Sequence, residues 1–190
     1  MMQANELLAT RVSNGKLQEP APDEETMNAI FRDALRAPDH GILRPWRLLT
    51  IRGEAALSRL GDVYAHAMQT RQPEVAEATV ERVRRKPLRA PLVVVVVATP
   101  TKHPKAPEIE QVLSAGAVAH GILLGLWARG FSGMWRTGPM AYSPQVKASL
   151  GLRQEDHIVA FLYVGTASAP PPKAVRPDPA KLVSAWPPAG

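Results

Sequence analysis

Three short stretches of this 190-residue chain carry polar residues in patterns that a plain connector does not need. The first is Arg11-Val12-Ser13, just after a short predicted helix. In extended backbone alternate side chains face the same way. Arg11 and Ser13 can then meet one phosphate together, a guanidinium fork beside a hydroxyl. The second is the loop within APDHGILRPWRLLTI, residues 37–51, which sets His40, Arg44 and Trp46 between two apolar elements. The third is GMWRTG, Gly133–Gly138, where Arg136 is a further cation and the glycines let backbone approach a flat ring closely. Together these residues suit an anionic, planar ligand.

Chemistry that needs a protein nucleophile or a metal has no support. The five histidines, His40, His66, His103, His120 and His157, are scattered without a close second ligand. Cysteine is absent, which removes disulfides, thiolate metal sites and thiol nucleophiles together. There is no glycine-rich phosphate loop, no P-loop lysine and no serine in a nucleophile elbow. A bound cofactor brings its own chemistry, so an oxidoreductase can show no nucleophile at all.

Each residue also has a plainer reading. Arg11 and Ser13 can simply end a helix, His40 can cap the helix before it, and Trp46 and Trp135 can be core aromatics. The core reading is preferred for Trp46. His120 reads as a satisfied core histidine. Arg136, on an apolar strand, requires an anionic partner, because a buried unpaired charge is very unfavourable. A phosphate, or a carboxylate such as Glu110, would serve.

The elements that position these residues follow from periodicity. Helices are predicted over 23–37 with Asp23 as cap, 54–69, 73–86, 108–129 and 143–151, the last with Ser143 as cap and Pro144 in its first turn. The 108–129 segment is apolar on most sides and rich in Ser, Ala and Gly. It reads as a spine buried all round, which another backbone can approach closely. Its uncharged part, residues 112–128, reaches the lower limit of a membrane span, roughly 17–25 residues. Glu110 and Arg129 bracket it, and it reads as the buried helix of a soluble protein. The N-terminus lacks a signal-peptide pattern. Strands are predicted over 46–51, 91–99, 131–137 and 158–166. The run LVVVVVA implies a central strand covered on both faces.

A net charge of +6 and a pI near 10.0 favour anionic ligands. The densest basic run, residues 81–89, reads as a solvated helix end with cations at the favourable pole of the dipole. No aromatics interleave it, so a nucleic-acid module is the weaker alternative. Residues 167–190 are rich in proline and stiff. They read as an extended arm lying over a partner subunit, anchored by Leu182, Val183 and Trp186, in preference to a free tail.

Seven segments, in order along nearly the whole chain, carry a more specific signal: ELLATRVS with EPAP, APDH…PWR, RAPLVVVV, EQVLSAG, GFSGMWRTG, FLYVGT and PDP. This pattern resembles the nitroreductase family. The resemblance implies one α+β domain over 1–190, with a central mixed, mainly antiparallel sheet flanked by helices. It implies a homodimer that exchanges the 167–190 arm and holds FMN at the subunit interface. It further implies hydride transfer from NAD(P)H to flavin N5, then electron transfer to a nitroaromatic, quinone or similar small acceptor by a ping-pong cycle. No catalytic side chain, no metal, no nucleic acid and no membrane are expected, and the location implied is cytoplasmic. By position, Arg11, Val12, Ser13, His40, Arg44, Trp135, Arg136 and Thr137 match the family's FMN-binding residues, and Gly125–Gly130 match its nicotinamide-contacting segment. Arg44 stands where the family more often has glutamine; arginine only donates and stays charged. Gly15 stands where many relatives have a basic residue, with Lys16 beside it. A flavin-binding carrier or sensor without turnover is the alternative function.

Overall fold

A computed structural model describes residues 2–186. Helix α1 (Ala4–Thr10) leads into the two-residue strand β1 (Leu17–Gln18) and helix α2 (Glu24–Ala34). Strand β2 (Trp46–Arg52), helices α3 (Glu54–Arg71) and α4 (Glu77–Arg84) and strand β3 (Leu92–Ala98) follow. The long helix α5 (Glu108–Trp127) then precedes β4 (Ser132–Arg136), α6 (Pro144–Ser149) and β5 (His157–Ala167). Among the described residues every strand pairing is antiparallel. The order is β1-β5-β3-β2, and β4 also pairs with β5. The sheet is thus antiparallel and not mixed, and helices cover both its faces.

Side-chain alternation sorts the core into two layers. Val93, Val95, Val97, Phe161 and Tyr163 face Leu57, Leu60 and Tyr64 of α3 and Val83 of α4. The intervening Leu92, Val94, Val96, Leu162 and Val164 face Met27 and Ile30 of α2 and Val118, Ile122 and Leu126 of α5. All seven β3 residues are buried, as the unbroken β-branched run requires. The small residues of α5 admit α2 closely: a Cβ on Gly121 would stand 3.1 Å from the Ala34 Cα, and one on Gly125 3.0 Å from Ile30.

Several expectations are corrected. Helix α2 ends at Ala34, ahead of Pro38, and α4 begins only at Glu77, after a turn that follows Pro73. Strand β1 is too short to have a periodicity. Helix α5 is long and apolar enough to cross a membrane by length and composition, yet one side of it packs into the core. It is not buried all round. Ile109 and Leu113 are 62% and 65% exposed, and His120, on the same stripe, is exposed rather than a core histidine. The proline-rich arm has one 3₁₀ turn, Pro179–Lys181, and its three apolar anchors are exposed on the single chain. The last four residues of the 167–190 arm lie outside the described residues.

Candidate functional site

The Arg11–Ser13 segment leaves α1 in extended backbone and is tied to the sheet just beyond it. The Asn14 N–H donates to the Gly133 carbonyl at 3.1 Å, and the Ser168 N–H donates to the Lys16 carbonyl at 3.0 Å. Asn14 is buried, and its side chain accepts from the Lys16 N–H at 2.9 Å. These bonds fix the segment across the start of β4. Arg11 is half-buried, and its Nη1 is fully enclosed with no acceptor. Val12 is half-buried and Ser13 is exposed. Arg11 lines a groove of about 450 Å³ with Asn5 and Leu8 of α1 and with Val175 and Arg176 of the C-terminal arm.

Strand β4 brings Arg136 to the same region. Its guanidinium carbon stands 5.7 Å from the Tyr163 ring centroid, and its Nη2 lies 3.1 Å from where a Cβ on Gly15 would sit. Glycine at position 15, where the resemblance led one to expect a basic residue, therefore leaves room for this guanidinium. The Arg136 Nε is buried without a partner. The expected carboxylate from Glu110 is not there: Glu110 accepts from His40 Nδ1 at 2.6 Å. Trp135 points to the opposite face of the sheet, packs on the α2/α5 core layer and donates from Nε1 to the Val159 carbonyl at 3.1 Å. Its indole is a core aromatic, as is that of the half-buried Trp46. Thr137 is exposed beside Gly138, whose φ of 69° turns the chain out of the sheet.

The 38–44 loop is held at three points. His40 pairs with Glu110 instead of capping α2, the Ser114 hydroxyl donates to the Pro38 carbonyl, and the Arg44 N–H donates to Asp39 Oδ2 at 2.6 Å. Gly41, Ile42 and Arg44 all have positive φ, at 81°, 56° and 49°. For a β-branched residue that is a true outlier, of a kind that collects where function demands a set shape. Arg44 is exposed, as is Ile42 at 75%.

Two further recesses adjoin β4. One, of about 320 Å³, is lined by Tyr64, Lys86, Arg89, Arg136 and Tyr163. The other, about 600 Å³ and mostly apolar, shares Gly138, Pro139 and Met140 with it and adds Ala67, Arg71 and Tyr142. A cavity of about 690 Å³ lies between the 100–108 segment and Arg153 and Glu155; none of the predicted site residues lines it, although its His103 borders Gly41 of the 38–44 loop. The nearby buried carboxylate, Asp156, is already matched by Arg153 at 2.7 Å.

The nitroreductase family model matches residues 8–166 of this chain. The chain belongs to the nitroreductase family. Among curated relatives, the Escherichia coli K12 protein named "Putative NAD(P)H nitroreductase YdjA" is 36% identical over 189 residues, covering 96% of this chain and 99% of that one. A nitroreductase-like family protein from Bacillus cereus superposes with a TM-score of 0.82 at 21% identity, over 98% of this chain and 97% of that one. A variant of the FMN- and NADPH-dependent nitroreductase NfnB, from a Sphingopyxis strain, gives 0.74 at 20% identity, over 98% and 100%. The nitroreductase fold is thereby shown, along with an oxidoreductase role in its general form.

The residues present fit a phosphorylated, planar cofactor of the kind this family's resemblance implied. Two guanidinium nitrogens, Arg11 Nη1 and Arg136 Nε, are buried with no acceptor among the described residues. Buried donors normally find partners, and an anion would supply them. The nicotinamide-matching segment Gly125–Gly130 closes α5 next to this region: Trp127 Nε1 donates to Thr10 Oγ1 at 3.0 Å, and Arg129 pairs with Asp33 at 2.9 Å. Tyr64, Lys86, Arg89 and Arg176 line these recesses without having been singled out from the sequence. Lys86 and Arg89 lay inside the basic run read as a solvated helix end. Pro87 was the available signal, since it takes the chain out of α4 and turns both cations aside.

Proposed function

We propose that this nitroreductase is an FMN-dependent NAD(P)H oxidoreductase that works as a homodimer in the cytoplasm, with its electron acceptor a nitroaromatic, a quinone or a similar small molecule. Bound FMN would supply the chemistry, accepting hydride from NAD(P)H at N5 and returning electrons to the acceptor in a ping-pong cycle. The protein's part is to bind, orient and shield. Arg11 and Ser13, with Val12 between them, hold the phosphate end, and Arg176 from the arm adds charge to the same groove. Arg136, fixed over Tyr163, holds the cofactor from the β4 side. The Trp135–Gly138 segment would line the cofactor's site, while the Trp135 indole fixes the strand from behind. His40, locked to Glu110 at the start of α5, sets the loop that carries Arg44; because Thr10 meets Trp127 at the far end of that helix, about 25 Å away, this loop would serve a cofactor bound at the partner subunit's copy of the Arg11 segment. Gly125–Gly130 lie beside α1 and receive the nicotinamide nucleotide.

The observation that carries this reading is the pair of enclosed, unpartnered guanidinium nitrogens on two segments stitched together by Asn14 and Gly133. The homodimer is supported by the uncovered stripe Ile109–Leu113 on α5 and by the exposed Leu182, Val183 and Trp186 of the arm. The test is the visible spectrum of the purified protein under exclusion of air. A yellow protein that bleaches with NADH or NADPH and recovers its colour with a nitroaromatic or quinone bears the proposal out. A yellow protein that does not bleach is a flavin carrier. A colourless one that does not take up added FMN ends the reading.

A further inference from the structure

We propose that His120 stands at the centre of a seam between antiparallel α5 helices of two subunits, facing the partner's His120, so that its protonation weakens assembly. The inference rests on the proposed homodimer, and the layout of the site asks for this orientation. The 38–44 loop is tied to Glu110 at the start of α5, and α1 meets Trp127 at its end, about 25 Å along the axis. A second α5 running the other way brings one chain's loop beside the other chain's Arg11 segment. The outer face of α5 suits such a copy. Ile109, Leu113, Ala117, His120, Leu124 and Trp127 succeed one another at three- and four-residue steps and form one stripe. The stripe is self-complementary: Ile109 with Trp127, Leu113 with Leu124, and Ala117 with His120 are spaced about one midpoint near Val118. In a twofold interface each such pair meets across the axis. A Cβ on Gly116 would meet nothing within 4 Å, so the face beside His120 has room for a ring from outside. Outside the arm, seven large apolar side chains are exposed among the described residues. Five of them, Leu8, Leu35, Ile42, Ile109 and Leu113, lie on α5 or on segments held along it, and a patch of that kind marks an interface.

Across this midpoint the two imidazoles stand about 4.5 Å apart along the axis, the rise of three residues. The apolar members of the stripe flank them, and few charges do. On α5 itself the nearest are Glu110 and Arg129, about 15 and 14 Å away along the axis, and these are taken by His40 and Asp33. Helix α2 packs on α5 at Ala34 and Gly121, and the charged groups at that end of it are Arg32, Asp33 and Arg36. Helix α1 brings Glu6 and Arg11, and the sheet lies across the buried side of α5. None of the seven ion pairs among the described residues includes His120. An imidazole ordinarily titrates near about pH 6.5, and enclosing its charged form in an apolar seam, twice over, is unfavourable. The seam therefore holds the neutral form. Assembly is strongest above that pH and weakens as pH falls below it, which parts the 38–44 loop from the partner's Arg11 segment.

Sedimentation of the full chain at about pH 7.5 and about pH 5.5, the latter still above the ordinary carboxylate range, tests the proposal. About one pH unit below its ordinary value roughly nine in ten imidazoles are charged. Keeping each neutral in the seam then weakens association by roughly tenfold, and the two together by up to about 100-fold. The parent's dimer dissociation constant is expected to rise by that factor between the two conditions. His120→Gln should stay dimeric and lose the step, and His120→Lys should associate weakly at both pH values. The chain has no cysteine, so the register of the seam can be read directly. Leu113→Cys combined with Leu124→Cys should cross-link two chains on oxidation, and neither single variant should. A dimer with the same constant at both pH values, or a step that His120→Gln retains, overturns the switch and leaves the homodimer standing. A single cysteine variant that cross-links as readily as the pair overturns the register. A parent that is monomeric at both pH values refutes the homodimer together with the switch.

Discussion

Replacing Arg136 by methionine separates what this side chain does for folding from what it does for a ligand. Methionine keeps most of the apolar stem over Tyr163, so packing changes little. The folded chain loses a cation–π contact, at 5.7 Å from the Tyr163 centroid, worth about 0.5–2 kcal/mol. It also sheds an enclosed, unpartnered Nε, whose unsatisfied burial opposes folding by about 1–3 kcal/mol, and a like charge beside Lys86 and Arg89. The two effects offset. Urea unfolding of the ligand-free variant should therefore fall within about 1 kcal/mol of the parent. Ligand affinity should not be spared. One charge-assisted bond to a phosphate or ring oxygen contributes about 1.5–3 kcal/mol, so the FMN Kd should rise roughly 10- to 150-fold. Flavin fluorescence quenching reads the Kd directly. A variant that unfolds some 2 kcal/mol more easily yet binds FMN like the parent would make Arg136 a structural residue, and the argument from its missing partner would be wrong.

Other outcomes follow from single contacts. Gly61→Ala should lower stability by about 1–3 kcal/mol in urea, because a Cβ there runs into the Arg84 carbonyl oxygen where α3 meets α4. Asp156 is buried; desolvation alone would raise its pKa, but hydrogen bonds and charge from Arg153 outweigh this and hold it below the usual carboxylate value. A lowered folded-state pKa adds stability that is present above the unfolded value, near 3.8, and is lost as pH falls through the folded one. Acid unfolding of Asp156→Asn should thus be shallower below about pH 4 than that of the parent, as circular dichroism would record. Leu113→Glu puts a charge in the exposed stripe of α5. Sedimentation should find the parent dimeric and the variant shifted to monomer, and a parent that sediments as a monomer would refute the proposed assembly.

The fold was legible where local chemistry and global packing agree. The valine run of β3 could only be an interior strand, and it is buried at all seven positions. Asp23 and Ser143 do cap their helices, accepting from the Thr26 and Val146 N–H groups at 2.8 and 3.3 Å. Gly121 and Gly125 of α5 sit against α2 as small residues should. Legibility ended where a side chain's fate depends on a neighbour brought in from far along the chain. His120 looked like a core residue because its sequence neighbours are apolar; a helix of mean apolar character still has an outer stripe. Glu110 was a reasonable partner for Arg136 by charge alone, and the 38–44 loop claims it through His40. Trp135 and Arg136 were read as one motif, and strand alternation sends them to opposite faces. The 11–16 and 133–136 segments do lie together, whereas the 38–44 loop is held at the other end of α5, and this separation needed three dimensions to see.

How the charges are shared out gives the site its logic. The chain has 17 acidic residues for 23 Lys and Arg, so some cations must go without a partner, and chance would leave the unpaired ones at the surface, where water serves them. Most of them are there, Arg32, Arg36, Arg59 and Arg71 among them, but two are not. The paired arginines Arg84, Arg129 and Arg153 have side chains at least 33% exposed, where ion pairs add little to stability. Arg11 and Arg136 keep enclosed nitrogens with no acceptor, and Lys86 and Arg89 line a recess without a carboxylate. Arg89 is exposed and needs no acid, whereas withholding acids from the enclosed nitrogens of Arg11 and Arg136 weakens the empty fold. An anion from outside would complete those two residues, which is the reason the proposed cofactor, and not packing, is the reading we give Arg11 and Arg136.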